Sequence, residues 1–158
     1  MEIERRWLVE GWPELEAAAV IHMDQGYFAT RPAVRVRREA EEGGPCQYIV
    51  CFKGKGGLAR EEIELPVTQA QYRTLSGMLN GPMIQKEQRR YSLPGGLTLE
   101  VNQVDRDRDT GFFYAEVEFP AEENARAWTP PAELAVYLSH ETTGQPGESM
   151  AAYWERTR

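Results

Sequence analysis

Hydrophobic and polar residues alternate over most of the first 120 positions. Eight segments carry the pattern: EIERRWLV, HMDQGYF, AVRVRRE, CQYIVCFK, REEIELPV, IQKEQRRYSL, LTLEVNQV and FFYAEVEFP. Each is rich in β-branched and aromatic residues and bounded by turn formers, which predicts eight strands. The glycine-rich punctuation EEGGP, GKGG and PGG suits tight hairpins, and short loops favour antiparallel neighbours. A helical period is expected at WPELEAAAV, at TQAQYRTLSGML with Thr68 as N-cap, at PPAELAVYLSHE and at GESMAAYWE. The fold expected is α+β and mainly β, forming one domain over residues 1–158.

The polar positions are unusual in kind. Successive strand side chains point to opposite faces, so Glu2, Glu4 and Arg6 share one face and Ile3, Arg5 and Trp7 the other. The same parity groups Arg35 with Arg37, Lys53 with Lys55, Glu62 with Glu64, and Glu116 with Glu118. Lys86, Gln88 and Arg90 form one further set, and Glu100 with Asn102 another. Seven acids and seven bases thus occupy one set of faces. A solvated sheet face alternates too, but it mixes Thr, Ser, Gln and single charges, whereas here like charges stand in repelling pairs. Eight antiparallel strands can close into a barrel, which turns such faces into the wall of a wet tunnel while the apolar faces pack outward against helices. Rings of Arg and Lys suit phosphate oxygens, and paired carboxylates suit Mg²⁺ or Mn²⁺.

Composition narrows the field. A net charge of −7 and a pI near 5.0 argue against nucleic acid or a membrane surface as partner, so any anion site is local. No apolar run approaches a membrane span, and the start does not resemble a signal peptide. Cys46 and Cys51 are too few for a disulfide framework, and the isolated His22 and His140 give no zinc pattern, so a cytoplasmic setting is expected.

EIERR resembles the E-x-E-x-K signature that opens the CYTH domain of the triphosphate tunnel metalloenzymes. QGYF, VRVR, FKGK, EEIELP, RRY, LEV and AEVEFP follow in order, so the resemblance spans Met1 to about Pro120. It implies an eight-stranded tunnel that hydrolyses a triphosphate with Mg²⁺ or Mn²⁺; separately, either a monomer or a homodimer is expected. Glu2, Glu4, Glu116 and Glu118 are then expected to hold the metal. Arg35, Arg37, Lys53, Lys55 and Arg90 are expected to bind triphosphate, with Lys86 or Gln88 at the lysine site of strand six. Glu62, Glu64, Glu100 and Asn102 complete the lining. Glu4, Arg6 and Tyr27 are the residues expected to act on phosphate or on the attacking water. Two positions depart from the family pattern: Arg6 replaces lysine and cannot serve as a base, and Asn102 replaces a frequent aspartate.

Three activities fit: an inorganic triphosphatase; an organic-triphosphate enzyme such as a thiamine triphosphatase or adenylyl cyclase, with Trp7, Trp128 or Trp154 supplying an apolar pocket; or a binding module without turnover. DRDRDTGFFYAE matches a calcium loop at positions 1, 3, 5 and 12 but has Thr110 where glycine is required and strands on its flanks. FKGKGG lacks P-loop spacing. The C-terminal helix is expected to dock on the barrel, with plugging of one end as the alternative.

Overall fold

A computed structural model describes residues 1–158. The strands are β1 (Glu2–Val9), β2 (Ala19–Thr30), β3 (Ala33–Glu41), β4 (Cys46–Lys53), β5 (Ala59–Arg60), β6 (Glu62–Pro66), β7 (Ile84–Ser92), β8 (Thr98–Val104), β9 (Phe112–Glu118) and β10 (His140–Glu141). The helices are α1 (Gln69–Gly77), α2 (Glu122–Ala127) and α3 (Met150–Thr157). All eight expected strands form, and the two-residue β5 and β10 bring the count to ten. The order is β10-β1-β9-β8-β7-β2-β3-β4-β6, and every pairing is antiparallel. Closure comes from one continuous stretch: β6 pairs with β4, and β5, just before it, pairs with β1 through Glu2 opposite Arg60.

Two helix expectations need correction and one helix was not expected. Residues 12–18 are irregular, and Ala19 and Val20 already belong to β2, paired with Arg90 and Arg89. Ladder pairing there outweighs the helix propensity of a short alanine run. PPAELAVYLSHE holds only a 3₁₀ turn at Ala132–Leu134, then the β10 residues that pair with Trp7 and Leu8. That turn suffices to bury Leu134 and Leu138 against the sheet. The short α2 had no clear period in the sequence. By contrast α1 begins where expected, with Thr68 and Gln71 forming a reciprocal capping box.

Because the inner face is charged, the main core lies outside the barrel. Trp7, Tyr91, Leu99, Val101, Ala115, Val117 and Phe119 are buried there under Ala125, Leu134 and Leu138. Trp128 packs edge-on to Trp7 and Phe119, with ring centroids 5.8 and 5.6 Å apart. Arg5, on this outer face, ties the covering layer down by donating to the carbonyls of Ala125 and Trp128 and to the Glu141 carboxylate.

A second cluster closes one end of the barrel. Tyr27, Ile84, Val104 and Tyr114 pack against Met150, Tyr153 and Trp154 of α3. The buried Asp105 carboxylate fixes that helix, accepting from the Gln85 amide, the Tyr153 hydroxyl at 2.6 Å and Arg158 at 2.7 Å. So α3 goes beyond simple docking, and the DRDRDT stretch is a hairpin turn whose first aspartate is spent on this anchor rather than on calcium. No helix is long and apolar enough to cross a membrane. The outer core predicts an asymmetry: Leu99→Ala, at a fully buried site, should cost about 2–5 kcal/mol in urea unfolding. Phe52→Ala, on the uncovered outer face of β4, should cost less than about 1 kcal/mol.

Candidate active site

The inner faces enclose a cavity of about 930 Å³, and only 7 of its 38 lining residues are hydrophobic. All seven acids and seven bases singled out by strand parity line it, together with Tyr27 and Gln88. Asn102 stands behind the wall, fully buried, with its Oδ1 accepting from Gln88 Nε2 at 2.9 Å. Register explains the convergence. Arg6, Glu116, Glu100 and Arg90 form one cross-strand row over β1, β9, β8 and β7, and Glu4 faces Glu118 in the next. Across the barrel Tyr27 faces Arg35, Gln25 faces Arg37, and Lys53 faces Glu62.

Sequence reasoning missed three charged or polar wall residues that the same parity would have found. Arg60 precedes Glu62 and Glu64 by even steps, Glu39 follows Arg37, and Tyr114 precedes Glu116. Glu39 pairs with Arg37, and the Tyr114 hydroxyl accepts from Lys86 Nζ at 2.9 Å. Ser149, Met150, Ala151, Ala152 and Glu155 enter from α3 and its cap, where no strand pattern could announce them. The tryptophans are elsewhere: Trp7 and Trp128 in the outer core, and Trp154 against Tyr27 in the plug with ring centroids 6.0 Å apart. His22 binds Glu42 on the surface, and Cys46 and Cys51 are both free thiols.

The carboxylates crowd at one side of the cavity. Glu2, Glu4 and Glu118 bring oxygens within 4.8 Å of one another, and Glu116 shares a hydrogen bond with Glu4. Burial, then the charges of Glu116 and Glu2, hold the Glu4 carboxyl well above the usual range. Burial also favours neutral Glu2, but the hydrogen bond with Glu62 and the charges of Lys53 and Arg60 prevail and lower it to about 2. Glu62 rises from 4.5 to about 7 through burial and its contact with Glu2. Glu100 also reaches about 7, through burial and Glu116. An all-oxygen donor set of this kind fits a hard divalent cation.

The cations line the same cavity. Burial, followed by Arg37 and Arg35, pushes the Lys86 ammonium well below its usual range. Arg6 stacks 3.7 Å from the Tyr114 ring centroid and lies 3.6 Å from Glu116, yet its buried Nε and Nη2 find no acceptor in the protein. The Nε atoms of Arg35 and Arg37 are likewise buried without a partner. Buried donors left open in a cavity favour an anion that can accept from them.

No family model matches the chain. It is 32% identical over 130 residues to an inorganic triphosphatase of Nitrosomonas europaea, covering 82% of this chain and 83% of that one. The chain belongs to the CYTH, or triphosphate tunnel, family. The crystal structure of an inorganic triphosphatase superposes with a TM-score of 0.63 at 25% identity, over 97% of this chain and 93% of the other. A Pyrococcus horikoshii OT3 protein shares the fold over the full length of both chains, with a TM-score of 0.69 at 16% identity. Members of the CYTH family are generally metal-dependent.

The raised carboxyls set a pH dependence. With pKa values near 7 against 4.5, Glu62 and Glu100 retain protons in the fold that the unfolded chain releases. Their stabilisation is complete below about pH 4.5 and is lost as pH rises through 7. Glu2, lowered to about 2, acts in the opposite sense and only below that window. With chelator present, Tm measured by calorimetry should fall between about pH 4.5 and pH 7, and Glu100→Gln should flatten part of the fall. Saturating Mg²⁺ should raise Tm more at the upper end than at the lower. A Tm that climbs across this interval in chelator would contradict the electrostatic account.

Proposed function

We propose that the chain hydrolyses inorganic triphosphate to pyrophosphate and orthophosphate with Mg²⁺ or Mn²⁺ as cofactor. The observation that carries this reading is the coexistence, in one cavity, of clustered carboxylates and buried guanidinium donors without protein acceptors. A divalent cation together with a polyphosphate would satisfy both at once. Similarity to an inorganic triphosphatase supports the activity. The absence of a tryptophan platform on the wall favours an inorganic over an organic substrate. The two free thiols fit a reducing, cytoplasmic setting.

In this reading Glu2, Glu4, Glu116 and Glu118 hold the cation, whose role is to neutralise charge on the phosphate oxygens. Arg35, Arg37, Lys53, Lys55, Lys86 and Arg90 fix the triphosphate along the cavity, so the terminal phosphorus faces the attacking water with its leaving oxygen in line. Arg6 contributes a fixed positive charge, and being always protonated it leaves proton transfer to a carboxylate. The Tyr27 hydroxyl, which accepts from Gln25 Nε2 at 3.2 Å, is placed to orient the water or a phosphate oxygen. Water adds to the terminal phosphorus, the bridging P–O bond breaks, and pyrophosphate carries away the bond's electron pair. The plug of α3 and the protein wall keep bulk water out of one end.

Phosphate release from inorganic triphosphate, ATP and thiamine triphosphate, each with Mg²⁺, Mn²⁺ or chelator, tests the proposal. Inorganic triphosphate should be preferred and chelator should abolish release. Glu4→Gln should lower kcat about 100-fold and weaken the metal response. Arg37→Ala should chiefly raise KM, by roughly 10-fold or more. Equal small effects from both variants would refute the assignment. Binding of triphosphate without any release would leave a binding module, with Arg6→Lys and Asn102→Asp as the reversions to make.

A further inference from the structure

Arg60 lies on β5, the strand that closes the barrel, directly opposite Glu2 of β1. Its Nε donates to Glu2 Oε1 at 3.1 Å, and its Nη2 is 3.8 Å from Glu4 Oε1. One guanidinium therefore spans two of the three carboxylates whose oxygens cluster within 4.8 Å. Lys53 Nζ reaches Glu2 from its own strand, at 3.1 Å, and is shared with Glu62 at 3.2 Å. Glu2 is thus doubly compensated, while Glu4 has Arg60 as its one ion-pair partner.

A divalent cation on Glu2 and Glu4 competes with Arg60 for the same oxygens. Like charges at a shared, largely desolvated site repel, so the cation and the guanidinium cannot both keep those contacts at full strength. The guanidinium is a fork of five donors matched to phosphate geometry, and it is already on the cavity wall. We propose that Arg60 is a positioning residue that couples cation binding to triphosphate binding. It orients Glu2 and Glu4 as their counter-ion, yields their oxygens to the incoming cation, and turns its fork to the phosphate held beside that cation. The proposal rests on the reading of the cavity as a cation and triphosphate site.

The test is Mn²⁺ binding, followed by electron paramagnetic resonance, and calorimetric binding of inorganic triphosphate, in wild type, Arg60→Gln and Arg60→Lys. Arg60→Gln should bind Mn²⁺ alone about fivefold tighter, because the competitor is gone, and triphosphate in the presence of Mn²⁺ about tenfold weaker. Arg60→Lys should keep Mn²⁺ affinity near wild type and restore only part of the triphosphate affinity, because it retains charge without the fork. Unchanged or weakened Mn²⁺ binding in Arg60→Gln would overturn the proposal, as would unchanged triphosphate binding. Should Arg60→Gln fail to fold, a Lys variant that binds triphosphate as wild type does would overturn it as well. A wild type that binds neither ligand refutes the site reading itself, whereas a wild type that binds both while Arg60→Gln behaves identically refutes Arg60 alone.

Discussion

Charges enclosed by a barrel must be balanced by one another or by a ligand, and this requirement shapes everything else in the fold. A small barrel filled with apolar side chains is its own core. Here the interior carries Glu2, Glu4, Arg6, Arg35, Arg37 and their partners, so the apolar surface must be buried elsewhere. Val101, Ala115 and Val117, all fully buried, point outward and need α2 and the 3₁₀ segment as a lid. The end of the tunnel needs a lid too, and α3 supplies it through Met150, Tyr153 and Trp154. The C-terminal quarter of the chain is therefore not an appendage to the barrel but the other half of its hydrophobic interface.

Balance inside the cavity is achieved overall but not locally. The groups that disturb Glu4 are burial, Glu116 and Glu2, and those that disturb Lys86 are burial, Arg37 and Arg35. Glu4 and Lys86 are thus each crowded, after burial, chiefly by charges of their own sign. Bridges join the two populations at several points: Arg6 with Glu116, Arg90 with Glu100, Arg37 with Glu39, Lys53 with Glu2 and Glu62, and Arg60 with Glu2 and Glu4. Like charges held close in a poorly screened space cost folding stability. They also preorganise the site, because the dipoles and charges are already in place when a ligand arrives. A cation and an anion bound together relieve both crowds, which makes an ion-paired ligand a better match than either ion alone.

The strands and their inward faces were legible in the sequence because alternation is local: each strand records its own parity, whatever it pairs with. That is why Glu116 and Glu118 could be placed with Glu2 and Glu4 across more than a hundred residues. The same rule covers Arg60, Glu39 and Tyr114, but each stands beside an opposite charge or carries none, so no like-charged pair marks it. Other features were not local. Residues 12–18 form no helix because Ala19 and Val20 are claimed by the ladder with β7, a contact more than sixty residues away. Closure by the two-residue β5, and the entry of Ser149 and Met150 into the cavity wall, depend on where distant elements land. Asn102 shows the limit of parity: it has the inward phase, yet it is fully buried away from the cavity wall, and its cross-strand neighbour Gln88 uses its carbonyl oxygen.

Arg6 shows how one departure from a family pattern can be absorbed without emptying the site. A lysine in its place offers a point charge and a removable proton, and arginine surrenders the proton. In return the guanidinium lies flat on Tyr114 while reaching toward Glu116, so its plane is held by a ring and its charge by a carboxylate. Two of its nitrogens remain buried and open. Satisfying them within the protein would need another acceptor on the wall, and such a group would add to the crowd of carboxylates that already keeps Glu4 protonated beyond its usual range. Leaving the donors open avoids that added crowding and keeps them available to an anion that can accept from them.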